Sequence, residues 1–531
     1  MGTFDRFRST AASDPGDAKP DASAEDAILL IEQGHALEAQ GRLDEARQCY
    51  LDAIRIAPNP ARAHLNRGNV LLQHGDLDGA LAAFRTPLDH QPDYAGAYYN
   101  IGNALLGSRQ FGEAVASYRS ALEINPDYAE VHCSLGVALK ELRQLDEAVA
   151  SFQKALQIDP ALAEAHSNLG NALGLGKIDL ALANHRRALE IEPNLAEAHI
   201  NLGNSLKELG QLEMAVESYR KAIEIKPNQV EAHTNLGIVL QELGLIEGAL
   251  ASYRQALEIR PDYAEAHNSL GNAQQELRQY ENALASHRRA LEIKPDYAEA
   301  YAGLGNDYQY VGKIDEALAC YSRALEIDPS FIVVQGNLLL VLNYVADHTP
   351  LHYLEQARQY GRIVAAKVGE RFTAWQCEPF PERLRVGLVS GDLCTHPVGQ
   401  FLEGLLAHID PARLELIAYP THHKEDELTA RIRPYFSAWK PLTGKSDEAA
   451  ALLIHADGVH VLLDVSAYTR YNRLPVFAWK PAPVQVSWLG VPTTTGMAEM
   501  DYVLGDPHAI PPNSMIIFPK PCGGCRKVAC V

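Results

Sequence analysis

The first two-thirds of the chain combines two periods of apolar and polar positions. Large apolar residues recur every three or four positions, which is the spacing of an amphipathic helix. A longer period of about 34 residues brings back small and aromatic residues in a fixed order, which in the first unit is Gly34, Ala46, Tyr50 and Pro58. Small residues let two helices approach closely, and large apolar residues fill the seam between them. The pattern therefore predicts pairs of antiparallel helices, each pair followed by a proline.

Nine such units span about residues 25–329. One unit cannot bury its own apolar face, so the units are expected to stack on one another as a solenoid. The landmark prolines are Pro58, Pro92, Pro126, Pro160, Pro193, Pro227, Pro261, Pro295 and Pro329; the landmark glycines are Gly34, Gly68, Gly102, Gly136, Gly170, Gly203, Gly237, Gly271 and Gly305; the aromatic or histidine residues are Tyr50, Phe84, Tyr118, Phe152, His185, Tyr219, Tyr253, His287 and Tyr321.

Two units depart from the pattern. Every step between landmark prolines is 34 residues except the one from Pro160 to Pro193, which is 33, and the missing residue lies in the predicted turn between Gly170 and Gly176. Pro87 stands inside a predicted second helix, where other units have alanine. Proline lacks an amide hydrogen and clashes with the preceding turn, so we expect a break in that helix.

Six histidines recur four residues before the landmark glycine. The 34-residue spacing puts each of them in a different layer of the stack, so we interpret them as packing residues and predict no metal site. They are His64, His132, His166, His199, His233 and His267.

Asparagines form two rows on the predicted first helices. Positions three residues apart share a helix face, and this face points away from the partner helix. A ladder of carboxamides can donate to and accept from an extended polypeptide backbone, so we predict that the first row binds peptide clients in the groove of the repeats; a solvated polar face without this function is the alternative. The first row is Asn66, Asn100, Asn168, Asn201 and Asn235, and the second is Asn69, Asn103, Asn171, Asn204, Asn272 and Asn306.

The pattern changes after Pro329. Residues 330–382 indicate a helical transition, with an apolar stretch at 338–342 and an amphipathic helix around 353–368. From residue 383 short β-rich runs alternate with helical stretches, which predicts an α/β lobe with a parallel sheet. The predicted strands are 384–389, 414–419, 459–465, 484–488 and 502–504, and the predicted helices are 399–408, 425–435, 447–455 and 473–479.

Composition narrows the class of protein. The net charge is -20, which argues against nucleic acid as the main partner. No apolar run approaches the roughly 20 residues that cross a bilayer, so no membrane partner is expected, and residues 1–24 are polar and small, which predicts a disordered tail. The 8 cysteines are too few for a disulfide scaffold, so a reducing cytoplasm is the expected compartment.

Four ordered motifs lie at the predicted carboxyl ends of the strands. They are Ser390–Pro397, Asp457–His460 with Asp464–Thr469, Lys480–Gly496, and Met500–Tyr502. Downstream of 34-residue helical repeats, which resemble tetratricopeptide repeats, these motifs resemble the O-linked N-acetylglucosaminyltransferase family. That family also includes the plant Spindly-type fucosyltransferases and bacterial relatives. The resemblance covers about residues 25–515.

The resemblance implies a glycosyltransferase with two Rossmann-like lobes, of which residues 383–515 would be the first. Such enzymes move a sugar from a nucleotide donor, usually UDP-GlcNAc, to Ser or Thr of proteins, without a metal ion or another cofactor. In the family's pattern Asp392 and His396 are the catalytic pair. Histidine changes charge near neutral pH, and an aspartate four residues earlier could orient it or share its proton; a His-Pro pair that only shapes a turn is the alternative. The donor-sugar loop would comprise Pro397, Leu489, Gly490 and Pro492.

The chain departs from the family in three places. Ala467 stands where a glycine is usual, Thr493 does so in the donor-sugar loop, and Gln335 stands where relatives carry a histidine that contacts the sugar. His455 and His460 flank Asp457 without a motif role, so we interpret them as structural.

The carboxyl end differs most. Only about 30 residues follow Asp501, whereas the family continues with a second lobe that holds the nucleotide. Reading one plausible back-translation of Phe518–Arg526 two bases later gives Pro-Glu-Thr-Leu-Trp-Arg-Leu-Pro, which resembles the family's continuation. Residues 516–531 are thus expected to be a frame-shifted tail, with Cys522, Cys525 and Cys530 as its by-products rather than zinc or redox ligands.

Two functions remain open at this point. The first is a protein O-GlcNAc transferase, inactive in this chain and binding nucleotide sugar once the second lobe is supplied. The second is a non-catalytic repeat scaffold for peptides.

Overall fold

The computed structural model describes residues 22–56, 61–345, 349–379, 381–488, 494–505 and 529–530. The chain divides into two compact units, Met1–Leu243 and Gly244–Val531. Within the described ranges, no helix combines the length and the apolar character needed to span a bilayer.

The first unit consists of paired helices at the positions that the 34-residue period predicts. The first helix begins at Ala22, three residues ahead of the predicted start at residue 25. The helices are α1 (Ala22–Ala39), α2 (Leu43–Ile56), α3 (Ala61–Gln73), α4 (Leu77–Arg85), α5 (Ala95–Gly107), α6 (Phe111–Ile124), α7 (Ala129–Glu141), α8 (Leu145–Ile158), α9 (Ala163–Leu173), α10 (Ile178–Ile191), α11 (Ala196–Glu208), α12 (Leu212–Ile225) and α13 (Val230–Glu242).

The second unit begins with the last repeats and continues into an α/β lobe. Its repeat helices are α14 (Ile246–Ile259), α15 (Ala264–Glu276), α16 (Tyr280–Ile293), α17 (Ala298–Tyr310) and α18 (Ile314–Ile327), and two transition helices follow, α19 (Ile332–Leu342) and α20 (Pro350–Ala366). The architecture is therefore a helical-repeat array joined to an α/β lobe, as the sequence predicts.

The landmark glycines lie where an aromatic ring presses on the facing helix. A Cβ atom at Gly102 would lie 2.5 Å from the ring of Tyr118, and one at Gly203 would lie 2.7 Å from the ring of Tyr219. Both rings are fully buried. Any side chain at the glycine would force the two helices of a repeat apart, which explains why glycine returns at every interval.

The turn between the two helices of a repeat places one residue in the left-handed region. Glycine occupies this position in several repeats, for example Gly41 at φ 73° and Gly210 at φ 71°, while Arg109, Arg143 and Arg278 occupy it in three others. A side chain in this conformation costs about 1 kcal/mol relative to glycine. The fifth repeat differs: α9 ends early at Leu173, and a short 3-10 helix at Leu175–Lys177 replaces the usual turn.

Pro87 breaks its helix, as predicted. The α-helix α4 ends at Arg85, and a 3-10 helix at Thr86–Asp89 follows, with Pro87 near its start. The missing amide hydrogen of proline is harmless at the first turn of a helix, which explains this placement.

The transition helices pack firmly on the lobe. Tyr360 of α20 meets Tyr468 of the lobe edge-on, with ring centroids 5.2 Å apart. Gly496 has a φ of 68° and contacts the carbonyl group of Ala357 so closely that no Cβ would fit. Buried residues of α18, α19, α20 and the lobe belong to one hydrophobic cluster. Residues 330–382 therefore fix the lobe to the last repeats instead of acting as a loose linker.

The lobe is built on a parallel sheet with strand order β3-β2-β1-β4-β5-β6-β7. The strands are β1 (Leu384–Ser390), β2 (Leu414–Pro420), β3 (Ala438–Trp439), β4 (Val461–Asp464), β5 (Val484–Ser487), β6 (Tyr502–Gly505) and β7 (Ala529–Cys530), and the helices are α21 (Pro397–Leu406), α22 (Glu427–Ile432), α23 (Asp447–Ala456) and α24 (Leu474–Phe477). Leu388 pairs with Ala418 of β2 on one side and with Leu463 of β4 on the other. The five predicted strands are present within two residues of their expected bounds; β3 and β7 were not expected.

Candidate active site

The strand order reverses between β1 and β4. From β1 the chain moves outward to β2 and β3, and then returns to place β4 on the other side of β1. In open parallel sheets such a reversal leaves a crevice beyond the carboxyl ends of the two strands, and ligands bind there. Ser390 and Asp464 end the two strands, so the loops that follow them form the walls of the crevice.

Asp392 and His396 lie together in the first of these loops. The Nδ1 atom of His396 is 3.7 Å from Oδ1 of Asp392, and the side chains are 39% and 11% exposed respectively. The other carboxylate oxygen of Asp392 faces two hydroxyl groups, Thr469 Oγ1 at 3.4 Å and Ser466 Oγ at 3.5 Å. Burial raises the pKa of Asp392, while the nearby His396 and the two hydroxyl groups oppose the rise. The structure thus brings the predicted pair together in a partly buried, polar pocket.

His396 is also the residue that caps α21. The Val398 amide donates to its Nδ1 atom at 3.4 Å, and Pro397 follows as the first residue of the helix. An Nδ1 atom that accepts carries no hydrogen, so in this arrangement the ring hydrogen is on Nε2. The cap therefore keeps Nδ1 beside Asp392 and leaves the ring hydrogen on Nε2.

The loop that holds the pair is fastened by α22. The carboxylate of Asp426 accepts from the Thr395 amide at 2.8 Å, and the Thr429 hydroxyl donates to the Leu393 carbonyl at 2.8 Å. The hydrogen bonds that the Thr395 and Thr429 amides donate to the Asp426 carboxylate lower its pKa. Neither residue was predicted from the sequence, although aspartate is a preferred residue at the start of a helix.

A second buried carboxylate supports the other wall. Asp464, 1% exposed, accepts from the Ala467 amide at 3.1 Å and from the Ser487 hydroxyl at 3.1 Å. Burial raises its pKa to about 6, and the charge of Asp392 adds to the rise. Ala467 has a φ of 49°, which explains why a glycine is usual there. Ala467 is held in this conformation by the amide bond to Asp464.

The remaining predictions for the donor-sugar loop have separate outcomes. Pro397 lies at the start of α21, next to His396. Leu489, Gly490 and Pro492 lie outside the described residues, as does Thr493. Gln335 is 3% exposed, and its Nε2 atom donates to Oε1 of Gln356 at 3.0 Å, so it joins α19 to α20.

The asparagines of the first row are joined to the preceding repeat. Nδ2 of Asn201 donates to Ser167 Oγ at 3.0 Å, and Nδ2 of Asn235 donates to Asn204 Oδ1 at 3.0 Å. Nδ2 of Asn66 lies 2.8 Å from Nε2 of His35. Asn66 and Asn201 are buried, so they are not the open polar surface that the spacing predicts. Nδ2 of Asn168 faces Sγ of Cys133 at 3.8 Å, and Asn100 is half-buried; peptide binding by this row stays a prediction.

The second row supports the buried tyrosines. The hydroxyl groups of Tyr118, Tyr219 and Tyr321 donate to the asparagine that follows the landmark glycine, at 2.7, 2.7 and 2.8 Å. A buried hydroxyl group without a partner costs free energy, so this asparagine has a structural reason to recur. The signal was present in the sequence as the pairing of tyrosine with asparagine 15 residues earlier.

The recurring histidines are structural, as predicted. The Nε2 atoms of five of them lie 2.9–3.2 Å from the carbonyl oxygen of the landmark proline six residues earlier, and His64 is buried. A carbonyl oxygen only accepts, so each Nε2–H donates and closes the turn between repeats. No group of three or more possible metal ligands is found in the described ranges. The five histidines are His132, His166, His199, His233 and His267.

His455 and His460 are held by main-chain groups, as the structural interpretation expects. Nε2 of His455 lies 2.9 Å from the Ala374 carbonyl oxygen, and Nδ1 of His460 accepts from the Arg385 amide at 3.0 Å. Asp457 accepts from the Tyr419 hydroxyl at 2.8 Å and from Lys440. The three residues precede β4, so this motif lies at the amino ends of the strands and not at the carboxyl ends where the sequence predicted it.

Comparisons with known proteins agree with this architecture. Residues 367–518 match glycosyl transferase family 41. Tetratricopeptide repeats match at 31–95, in five overlapping segments between 110 and 278, and at 264–297 and 298–331. The carboxyl-terminal part of the chain is thus similar to glycosyl transferase family 41, and the part before it is similar to tetratricopeptide repeats.

Named relatives of this family match part of the chain. The probable UDP-N-acetylglucosamine–peptide N-acetylglucosaminyltransferase SPINDLY of Solanum lycopersicum is 35% identical over 183 residues, which is 34% of this chain and 20% of that protein. A UDP-N-acetylglucosamine–peptide N-acetylglucosaminyltransferase of Caenorhabditis elegans is 33% identical over 131 residues, 24% of this chain and 11% of that protein. The chain thus spans about a fifth or less of the length of these curated relatives.

A solved structure supports the fold. A lysine-to-methionine mutant of the Thermobaculum terrenum O-GlcNAc transferase superposes with a TM-score of 0.52 at 32% identity, covering 54% of this chain and 56% of that one.

Proposed function

We propose that this chain provides the acceptor-activating half of a protein O-GlcNAc transferase. The donor would be a nucleotide sugar, UDP-GlcNAc in the first place, and the acceptor a Ser or Thr hydroxyl group of a protein client. The observation that carries the proposal is the Asp392–His396 pair at the reversal of the strand order, with the hydroxyl groups of Ser466 and Thr469 on the second carboxylate oxygen.

The transfer reaction requires these residues to remove one proton from the acceptor hydroxyl group. In the transfer, the acceptor oxygen forms a bond to the anomeric carbon while the bond from that carbon to the diphosphate breaks, and the acceptor loses its hydrogen. Burial makes the Asp392 carboxylate a stronger base than an exposed aspartate. With Nδ1 of His396 accepting from the Val398 amide, the ring hydrogen on Nε2 would be available to donate to the acceptor oxygen. Asp392 would therefore take the proton, and His396 would orient the reacting oxygen.

The nucleotide sugar is a co-substrate, and no metal or further cofactor is proposed. The departing diphosphate would be stabilised by groups of a second lobe, which the family resemblance implies. For the compartment we propose a reducing cytoplasm; Cys49, Cys320, Cys377 and Cys394 form no disulfide.

The proposal is tested by transfer of GlcNAc from UDP-GlcNAc to a Ser-containing peptide, with a full-length version that carries a second lobe. His396→Ala and Asp392→Asn should each lower turnover by about 10²-fold or more, which is the usual loss when a positioned acid–base group is removed. His408→Asn is the matched control, because His408 is an exposed residue of the same lobe whose Nδ1 lies 2.8 Å from the Gly404 carbonyl oxygen of α21. Near-normal turnover of both variants would show that the pair shapes the turn and nothing more.

The second candidate function is peptide binding by the repeats without catalysis. The Nδ2 groups of Asn201 and Asn235 each donate one hydrogen bond to the preceding repeat, so a peptide could use the second amide hydrogen and the carbonyl oxygen. Replacing Asn168, Asn201 and Asn235 by alanine should weaken client binding, and unfolding must be measured beside it because three hydrogen bonds between repeats are lost. Unchanged client affinity in the triple variant would count against this function.

A further inference from the structure

We propose that a small basic pocket next to the Asp392–His396 pair binds an acidic side chain of the protein acceptor. The pocket has a volume of about 210 Å³ and lies at the carboxyl ends of β1, β2 and β3. Gly391 forms part of its wall, and the next residue is Asp392. The inference rests on the proposed transfer reaction, because it places the acidic residue relative to the acceptor hydroxyl group.

Three basic side chains line the pocket one after another, and the two acids that follow them are already engaged. His422, His423 and Lys424 come directly after the end of β2. Glu425 pairs with Arg433 at 3.0 Å. Asp426, which lies 3.7 Å from Lys424, uses its oxygens on the amides that fasten the catalytic loop. His422 is half-buried, and burial lowers its pKa, with the nearby His423, Arg470 and Lys424 adding to the fall; Lys424 therefore supplies the charge of this wall, and the two histidines supply ring nitrogens.

The basic wall is held in place by a strained residue. The His422 ring stacks on the Tyr471 ring, with centroids 4.0 Å apart and an interplanar angle of 17°. Tyr471 has a φ of 64°, and its carbonyl oxygen accepts from the Thr421 hydroxyl at 2.5 Å. Strain of this kind persists where the surroundings hold a residue in place, and it is common at binding sites. The stack fixes the orientation of His422 before any ligand arrives.

The opposite wall offers an apolar surface and one unsatisfied hydroxyl group. Trp439 supplies the apolar surface, and Oγ1 of Thr443 is buried without a hydrogen-bond partner in the described structure. A carboxylate on a short aliphatic stem would satisfy this hydroxyl group and the basic side chains, while its methylene groups contact the indole. Sites for drug-sized ligands have volumes of about 300–1,000 Å³, so this pocket suits one side chain better than a nucleotide sugar.

The position of the pocket sets the distance to the reacting hydroxyl group. An extended chain advances about 3.3 Å per residue, and the pocket wall adjoins Asp392 directly. An acceptor whose Ser or Thr lies at Asp392 would therefore place a side chain within about three residues of that hydroxyl into the pocket. The predicted acceptors carry Asp or Glu at one such position.

The experiment compares peptides that differ only by Asp or Asn at each position within three residues of a serine. Binding to the 531-residue chain is measured by fluorescence anisotropy at fixed salt. The wild type should bind one Asp peptide about 5–10-fold more tightly than its Asn partner, as expected for one charge-assisted contact. The protein carries a net charge of -20, so long-range electrostatics would give the opposite preference.

Variants of the pocket locate the effect. In the double variant His423→Gln/Lys424→Gln the preference should fall to less than twofold, and in Lys445→Gln it should stay, since Lys445 is exposed outside the pocket in the same lobe. Both pocket side chains are exposed, so folding should not change. A wild type without an Asp preference, including one that binds no peptide at millimolar concentration, would overturn the proposal, as would a preference that survives in the double variant.

A parallel titration with UDP distinguishes the two anions that the pocket could bind, an acidic side chain of the acceptor and the diphosphate of the donor. If UDP affinity falls in the double variant and no Asp preference exists, the pocket serves the donor diphosphate and the acceptor proposal is wrong. Binding and transfer are read separately. An Asp preference in a protein that never transfers sugar would refute the proposed function and leave the pocket assignment intact.

Discussion

Two repeats place a histidine where the others place tyrosine or phenylalanine, and the two histidines have opposite surroundings. In the eighth repeat His287 is fully buried, with Nδ1 2.6 Å from Oδ2 of Asp307 and Nε2 3.2 Å from Oδ1 of Asn272. Asp307 also accepts from Nε2 of Gln275 at 2.8 Å. Each ring nitrogen therefore faces an oxygen that can accept a hydrogen bond.

In the fifth repeat His185 is 1% exposed, and neither of its ring nitrogens has a hydrogen-bond partner within the described structure. This is the repeat that lacks one residue. Its first helix ends at Leu173, and Asn171, the counterpart of Asn272, is exposed. Burial lowers the pKa of His185 to about 4. The comparison shows that a histidine at this repeat position is buried without a large loss of stability only where side-chain oxygens of the neighbouring helices accept its hydrogen bonds.

Removing the carboxylate of the eighth repeat should have the largest effect. Asp307→Ala removes the carboxylate partner of the buried His287 and of the half-buried Gln275, and we expect a loss of about 3–5 kcal/mol in local unfolding free energy. Hydrogen exchange of α16 and α17, followed by mass spectrometry, measures it. Asp262→Ala, at an exposed position, serves as the control. A loss below about 1 kcal/mol would mean that the pair contributes little.

The fifth repeat should lose stability in acid. Its histidine has a folded-state pKa of about 4 and an ordinary value of 6.5, so the unfolded state binds the proton first. Stability from this group is complete above pH 6.5 and is lost as the pH falls toward 4, by roughly 3 kcal/mol in all. Urea unfolding of the wild type and of His185→Phe at several pH values isolates the contribution. A stability difference between the two proteins that is constant with pH would contradict it.

At neutral pH, His185→Phe should stabilise the fifth repeat by about 1–2 kcal/mol, because it removes a buried polar ring without partners. Phenylalanine already fills this slot against glycine in two repeats, at Phe84 and Phe152. His185→Tyr should gain less, since the exposed Asn171 is not placed to accept from its hydroxyl group. Equal gains for both variants would show that Asn171 can turn inward.

The smallest effect is expected at Asn272. Replacing it by alanine removes one acceptor from His287 while leaving Asp307 in place, and we expect a loss of about 1 kcal/mol. Asn171→Ala is the matched change in the fifth repeat and should be neutral. A cost at Asn171 equal to that at Asn272 would remove the distinction between the two repeats.

The features that could be predicted from the sequence are those set by residues close together in the chain. The repeats were found because glycine, proline and the aromatic residue are set by contacts within 34 residues. Asp392 and His396 were found because they share one loop. The groups that complete the site, Ser466 and Thr469, are more than 70 residues away and meet Asp392 only once β1 and β4 pair.

The misjudged elements have physical causes as well. β3 contains only Ala438 and Trp439, too short for an alternating pattern. The exposure of Asn66 and Asn201 was misjudged because helix periodicity shows which face a residue occupies and not what the next repeat lays against that face. The acceptor pocket depends on Tyr471, whose left-handed backbone has no signature in composition.

Hydrogen bonds donated by side-chain amides link neighbouring repeats, and most of them run in the same direction along the chain. Their direction affects where a repeat could be exchanged or inserted. Asn201, Asn235 and Asn337 each donate backward to the preceding repeat. Asn235 and Asn337 use the same acceptor position 31 residues earlier, whereas Asn201 donates to Ser167, 34 residues earlier, so only repeats that share the first arrangement could be exchanged with donor and acceptor in register. Between the eighth and ninth repeats the polarity is reversed, because Gln275 donates forward to Asp307. These two repeats depend on each other, because an insertion between them would separate His287 from the Asp307 carboxylate. The spacing of the eighth and ninth repeats is therefore constrained by the contact between His287 and Asp307.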